Sequence, residues 1–110
     1  MASADTILLT EGAEQDLEAI YDHIAESDDP ANADHVLDRL MAAAEQLAIM
    51  RERESYPREL LDLGIKDYRQ VVFKPYRLIY RVMGRDVVVF VIADSRRDMQ
   101  SLLSRRLLGA

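Results

Sequence analysis

Residues 68–94, YRQVVFKPYRLIYRVMGRDVVVFVIAD, carry three apolar segments separated by two turn signals, the pattern of a three-stranded meander. Residues 68–73 alternate and end on Val71, Val72 and Phe73, as a strand does. Lys74, Pro75 and Tyr76 interrupt it, because proline has no N–H to give to a ladder. Residues 77–83 form the next strand, with Leu78, Tyr80 and Val82 facing one way and Arg77, Ile79 and Arg81 the other. Gly84-Arg85 is a two-residue hairpin turn of the glycine-first kind. Residues 86–93 contain VVVFVI, apolar on both faces, which marks a central strand covered on both sides.

Upstream the period changes from two to 3.6. Residues 5–10 read as a short first strand, and Thr10 then caps a helix whose first turn carries Glu11 and Glu14. Ala13, Leu17, Ile20, Tyr21 and Ile24 recur at helical spacing, with acids opposite. Ser27 to Pro30 form a break, with Asp29 as the next cap and Pro30 in the first helical position. A second helix follows with Ala33, Val36, Leu37, Leu40, Met41, Ala44, Leu47 and Ala48 on one stripe, ending near Arg53. So short a break makes the two helices an antiparallel hairpin. Residues 58–64 read as an irregular connector or short turn stopped by Gly64, and Met99, Leu102, Leu103 and Leu107 mark a final helix.

The expected fold is therefore α+β, in one domain over residues 1–110. A short N-terminal strand precedes an antiparallel helical hairpin, which packs on a curved, mostly antiparallel sheet. A C-terminal helix closes the chain, and one helical layer faces one sheet layer. On this reading Leu17, Ile20, Leu37, Leu40, Ala44, Val89 and Val91 are buried together.

Composition narrows the function. A chain of 110 residues holds one core, and its 49% hydrophobic content is that of a globular domain. With no cysteine, disulfides, thiolate metal sites and cysteine nucleophiles are excluded. The first residues lack the basic region of a signal peptide, and no stretch is long and apolar enough to span a bilayer, so the expected location is the cytoplasm. The net charge of −6 is unevenly spread. Residues 1–50 hold one basic residue, Arg39, and twelve acids (−11), whereas residues 51–110 hold thirteen basic residues and eight acids (+5). Such asymmetry points to two surfaces for different partners, or to a helical layer solubilised by its acids.

No zinc-protease, P-loop, dinucleotide or serine-hydrolase motif occurs. No metal ligand set, cofactor site or catalytic residue is assigned; His23 and His35 sit among acids on the helices and read as helix-boundary residues. The basic side remains. Arg96, Arg97, Arg105 and Arg106 follow the central strand and are the candidate target-binding residues. Arg69, Arg77 and Arg81 form a second candidate basic face on the sheet, interleaved with Tyr68, Tyr76 and Tyr80. The competing explanation is that these arginines only cover the sheet edge with their stems.

At this point the chain resembles a known family. The run YRQVVFKPYRLIYRVMGRDVVVFVIADSRRDMQSLLSRRL, and within it PYRLIYRV and SRRD, is similar to the C-terminal half of RelE/ParE-superfamily toxins. Ala13, Asp16, Leu17 and Ile20 match the family's A-x-x-D-L-x-x-I pattern, so the resemblance spans nearly the whole chain. It implies the toxin of a type II toxin–antitoxin system, associated with plasmid stabilization, in a hetero-oligomer with a cognate antitoxin. It further implies one of two actions. ParE-like members bind and inhibit DNA gyrase and arrest growth; RelE-like members cut mRNA on the ribosome. The chain is expected to be ParE-like, because the segment after Tyr80 has no His or Tyr, and Asp94 stands where many relatives have His before R-R-D. A pI near 4.8 also suits a protein target better than direct nucleic-acid binding. The other readings are the ribosome-dependent endoribonuclease, with Arg77, Arg81, Arg96 and Arg97 on phosphates, and an inactive toxin-like co-repressor.

Overall fold

A computed structural model describes residues 6–50 and 55–109, the side chains of 48–50 excepted. β1 (Thr6–Leu9) leads into α1 (Glu11–Ser27), α2 (Pro30–Met50) and a short α3 (Arg58–Leu61). β2 (Arg69–Phe73), β3 (Tyr76–Met83) and β4 (Asp86–Asp94) follow, and α4 (Met99–Leu108) ends the order. The expected helix end near Arg53 lies outside the described residues.

Local chemistry sets these boundaries. The Thr10 hydroxyl accepts from the Ala13 amide (3.1 Å) and caps α1. Asp29 accepts from the Asn32 amide (2.9 Å) at the start of α2, with Pro30 in the first turn. Asp98 caps α4 through the Ser101 amide, and Gly109 ends it at φ +70°, a conformation that suits a residue without Cβ. The Tyr21 hydroxyl donates to Asp34 (2.9 Å) and ties the two arms of the hairpin together.

The strands lie in one open sheet in the order β1-β4-β3-β2, with β1 parallel to β4 and the remaining pairs antiparallel. β4 is thus an interior strand, as its run of apolar residues required. The helical hairpin covers one face, where Ala13, Leu40, Ala44 and Leu47 meet Leu78, Tyr80, Val87, Val89 and Ile92. The other face is not bare. Leu60 from α3 and Met99, Leu102 and Leu103 from α4 pack on it against Tyr68, Ile79, Val91 and Ala93. The expectation of a single helical layer is corrected accordingly: α3 and α4 form a partial second one.

A register shift in β4 explains a further correction. Ile79 pairs with Val91 but Tyr80 pairs with Val89, so Phe90 is an extra residue in the ladder. Strict alternation would put Val89 and Val91 on the same face. With the bulge between them, Val89 faces the hairpin and Val91 joins the opposite cluster. Leu37 is half-buried and lines an open groove rather than the core. Leu17 and Ile20 are likewise half-buried and pack on the edge of the core rather than inside it.

Leu40 is 1% exposed and sits against the sheet. Leu40→Ala is expected to cost about 2–5 kcal/mol, since it removes buried methyl groups and leaves a cavity. Urea denaturation checks this, and a loss below roughly half a kcal/mol, the surface range, would mean that the α2 stripe does not face the core.

Candidate functional site

The basic residues fall into groups that the sequence spacing does not anticipate. Arg69 pairs in register with Tyr80, so it lies on the hairpin side of the sheet. Its guanidinium stacks over the Tyr56 ring at 4.7 Å and donates to the Tyr56 hydroxyl (3.1 Å). Arg77 and Arg81 alternate with Leu78 and Tyr80 and so face the other side. Arg77 is forked onto the Glu59 carboxylate (2.8 and 2.9 Å) and also donates to Gln70. Its side chain is only 11% exposed. That contact pins α3 to the sheet and holds the Glu59 carboxyl below the usual carboxylate range. Arg81 lies over the Tyr68 ring at 5.8 Å. The three arginines therefore do not form one basic face.

The C-terminal arginines divide as well. Arg106 reaches back from α4 to α1, where it is forked onto Asp16 (2.9 and 3.0 Å) and donates to the Phe90 carbonyl (3.0 Å). Asp16 in turn accepts from the Ile92 amide (2.9 Å). Phe90 is the bulged residue of β4 and Ile92 lies two positions beyond it, just past the end of β1. One ion pair therefore satisfies backbone groups on that stretch of strand and joins α1, β4 and α4. Gly12 makes the approach possible: a Cβ there would stand 2.6 Å from an Arg106 Nη. The sequence carried a signal for this contact. Asp16 shares the helical stripe of Ala13, Leu17 and Ile20, and a carboxylate on a core stripe needs a cation.

The loop after β4 holds the other candidates. Arg96 is forked onto Asp94 through Nε (2.9 Å) and Nη2, and its amide also donates to Asp94 (2.9 Å). These contacts push the Asp94 carboxyl from its ordinary 3.8 down to about 2. Because the folded value is depressed, the pair's contribution is present above about pH 4 and is lost as pH falls through about 2. The Arg96 side chain is 79% exposed, so the pair adds little to stability. Arg97 and Arg105 are exposed, and neither guanidinium makes a hydrogen bond or ion pair among the described residues.

Arg97 lines a groove of about 210 Å³ between α1 and the ends of β3 and β4, together with Asp16, Ile20, His23, Tyr76 and Asp94. Burial, with the Asp94 charge second, raises the Tyr76 phenol above its ordinary value. Fold topology alone brings His23 here, from far along the chain. A wider groove of about 520 Å³ opens between α1 and α2, lined by Leu17, Glu18, Tyr21, Asp22, Asp34 and Leu37. Leu17 and Leu37 give it an apolar floor, and Glu18, Asp22 and Asp34 give it an acidic rim. No group of three or more His, Asp or Glu among the described residues is placed to hold a metal ion, and no helix among them is long and apolar enough to cross a membrane.

One open sheet with a bulged interior strand, helices on both faces and an arginine-bearing C-terminal helix define a small α+β domain. Residues 7–99 match the model of the ParE toxin of the type II toxin–antitoxin system parDE, and the chain belongs to that family. The fold is also that of a chain of the chromosomal ParDE toxin–antitoxin system from P. aeruginosa, with a TM-score of 0.70 and 22% identity over 81% of this chain and 94% of that one. A chain of the toxin–antitoxin complex RelBE2 from Mycobacterium tuberculosis gives a TM-score of 0.59 and 19% identity over 86% of this chain and 99% of that one. No curated protein sequence matches.

Arg106→Ala removes one side of the α1–α4 clamp and leaves Asp16 without its cation. It is expected to cost about 2–4 kcal/mol in urea denaturation, as when a largely buried charge loses its partner. Stability within about half a kcal/mol of wild type would show that the clamp holds nothing in place.

Proposed function

We propose that this type II toxin is ParE-like in action: it binds DNA gyrase, arrests growth, and is neutralised by a cognate antitoxin in a toxin–antitoxin hetero-oligomer. The observation that carries this reading is the internal engagement of the cations. Arg69, Arg77, Arg81, Arg96 and Arg106 each contact an aromatic ring or a carboxylate of the chain itself. Cleavage of RNA through its 2′-hydroxyl needs cations turned toward the developing phosphorane charge, with a base and an acid beside them. Five occupied guanidiniums and an acidic chain suit a protein target better.

One observation favours the ribonuclease reading. His23 and Tyr76 line the same groove as Arg97, so an acid–base pair and a cation share one depression. Purified toxin assayed on gyrase supercoiling and on ribosome-bound mRNA separates the two. Inhibition of supercoiling without mRNA cleavage is expected; cleavage that is lost in His23→Ala would replace the gyrase reading with the nuclease one. Activity in neither assay would leave the co-repressor reading.

Arg97 and Arg105 are the candidate target-binding arginines whose forks remain available, and Arg96 stands beside them at the surface. Changing Arg96 and Arg97 together to Ala is expected to abolish growth arrest while leaving the melting temperature close to wild type, because both are exposed. Arrest that survives in the folded double variant would move target contact elsewhere on the domain.

The acidic groove of the helical hairpin suits an antitoxin segment that is apolar on one side and basic at its flanks. Co-expression with the adjacent reading frame is expected to give a co-purifying complex. In that complex Leu37→Glu should weaken association at least about tenfold, since it places a charge on the groove's apolar floor. Association unchanged by Leu37→Glu would place the antitoxin on another surface.

A further inference from the structure

Three donors converge on the Asp94 carboxylate: the Arg96 amide, its Nε and its Nη2. A main-chain amide beside a forked guanidinium is the donor set with which loops hold phosphates and carboxylates. Here the chain supplies the anion itself, from two residues upstream. The arrangement adds little to folding, because the Arg96 side chain is 79% exposed. Yet it takes up both prongs of the first arginine in a pair whose second member, Arg97, lines the adjacent groove with no hydrogen bond or ion pair to its guanidinium among the described residues.

We propose that Asp94 is an intramolecular ligand occupying a phosphate-binding loop, so that the 94–98 turn turns away nucleic-acid phosphates until that carboxylate is removed. Two effects make the occupant hard to displace. A carboxylate tethered two residues away competes at a high effective concentration. A phosphate approaching Arg97 must also come close to the Asp94 charge, and like charges at such distances repel. Without the carboxylate, Arg96 and Arg97 become adjacent forked donors at the mouth of a groove that also holds Tyr76 and His23. Asp94 is then a specificity-determining residue: it restricts the loop to partners that do not require both forks. The inference holds whichever macromolecule the toxin strikes, so its test and the gyrase assay fail independently.

The test is fluorescence anisotropy of a short fluorescein-labelled oligouridylate with the full-length chain at low salt. Asp94→Asn is expected to bind at least about tenfold more tightly than wild type, as a charge-assisted fork becomes available. Inorganic phosphate should compete for the gained binding. Asp94→Ser serves as the second variant, with the melting temperature of each confirming a folded chain. The gain should vanish in Asp94→Asn combined with Arg96→Ala. Asp67→Asn, which removes the same charge from an exposed position, should not reproduce it. Wild type binding as tightly as both Asp94 variants would overturn the proposal. So would a gain that Asp67→Asn matches, or one that persists without Arg96, since either traces it to overall charge.

Discussion

The contact between Asp16 and Arg106 is the constraint on which the arrangement of this domain turns. β4 carries the sheet, yet β1 covers only its first half, and the bulge at Phe90 disturbs the ladder where β1 ends. Peptide groups on that stretch would be costly to bury without partners. Asp16 accepts from Ile92, and Arg106 donates to Phe90 and to Asp16, so two side chains stand in for the missing strand. The same atoms fix α1 on one face of the sheet relative to α4 on the other.

The basic residues take their meaning from this economy of partners. Arg77 anchors α3, Arg106 anchors α4, and Arg69 and Arg81 lie along aromatic rings. A guanidinium can do this because its flat face stacks while its edge donates. Of the arginines that follow the central strand, Arg97 and Arg105 stand exposed at the end of β4 and on α4, open to an outside macromolecule. The acids concentrate instead on the hairpin around a partly apolar groove. The charge imbalance between the two halves of the sequence thus becomes, in three dimensions, a separation of surfaces.

Local patterns made most of the fold legible. Threonine, aspartate and proline at helix starts, Gly84 in the hairpin turn and the switch of period from 3.6 to two at β2 all predict elements that are present. What escaped depends on one residue. A bulge leaves no mark in a strand as uniformly apolar as VVVFVI, so spacing alone places Val91 in the cluster of Val89. The strand's two apolar faces call for cover on both sides without saying that α3 and α4 supply it. Of the site, the arginines were legible as residues but their partners were not. Glu59 lies across a connector from Arg77, and Asp16 nearly the whole chain from Arg106; the place of Asp16 on a core stripe calls for a cation, but spacing does not say which one. His23 was set aside as a helix-boundary residue, and only the packing of α1 beside β4 brings it to the groove that Tyr76 and Arg97 share.

Gly12 and Arg106 share a single volume, and this bears on how the chain can diverge. Glycine near the start of a helix is a weak choice on propensity alone, and alanine would ordinarily improve it. Here the added methyl would overlap a guanidinium held in place by Asp16 and the Phe90 carbonyl. A lineage that enlarges position 12 must shorten or redirect the side chain at position 106, and one that loses the arginine is released to fill position 12. The identities of the two positions, at opposite ends of the chain, are therefore expected to be correlated.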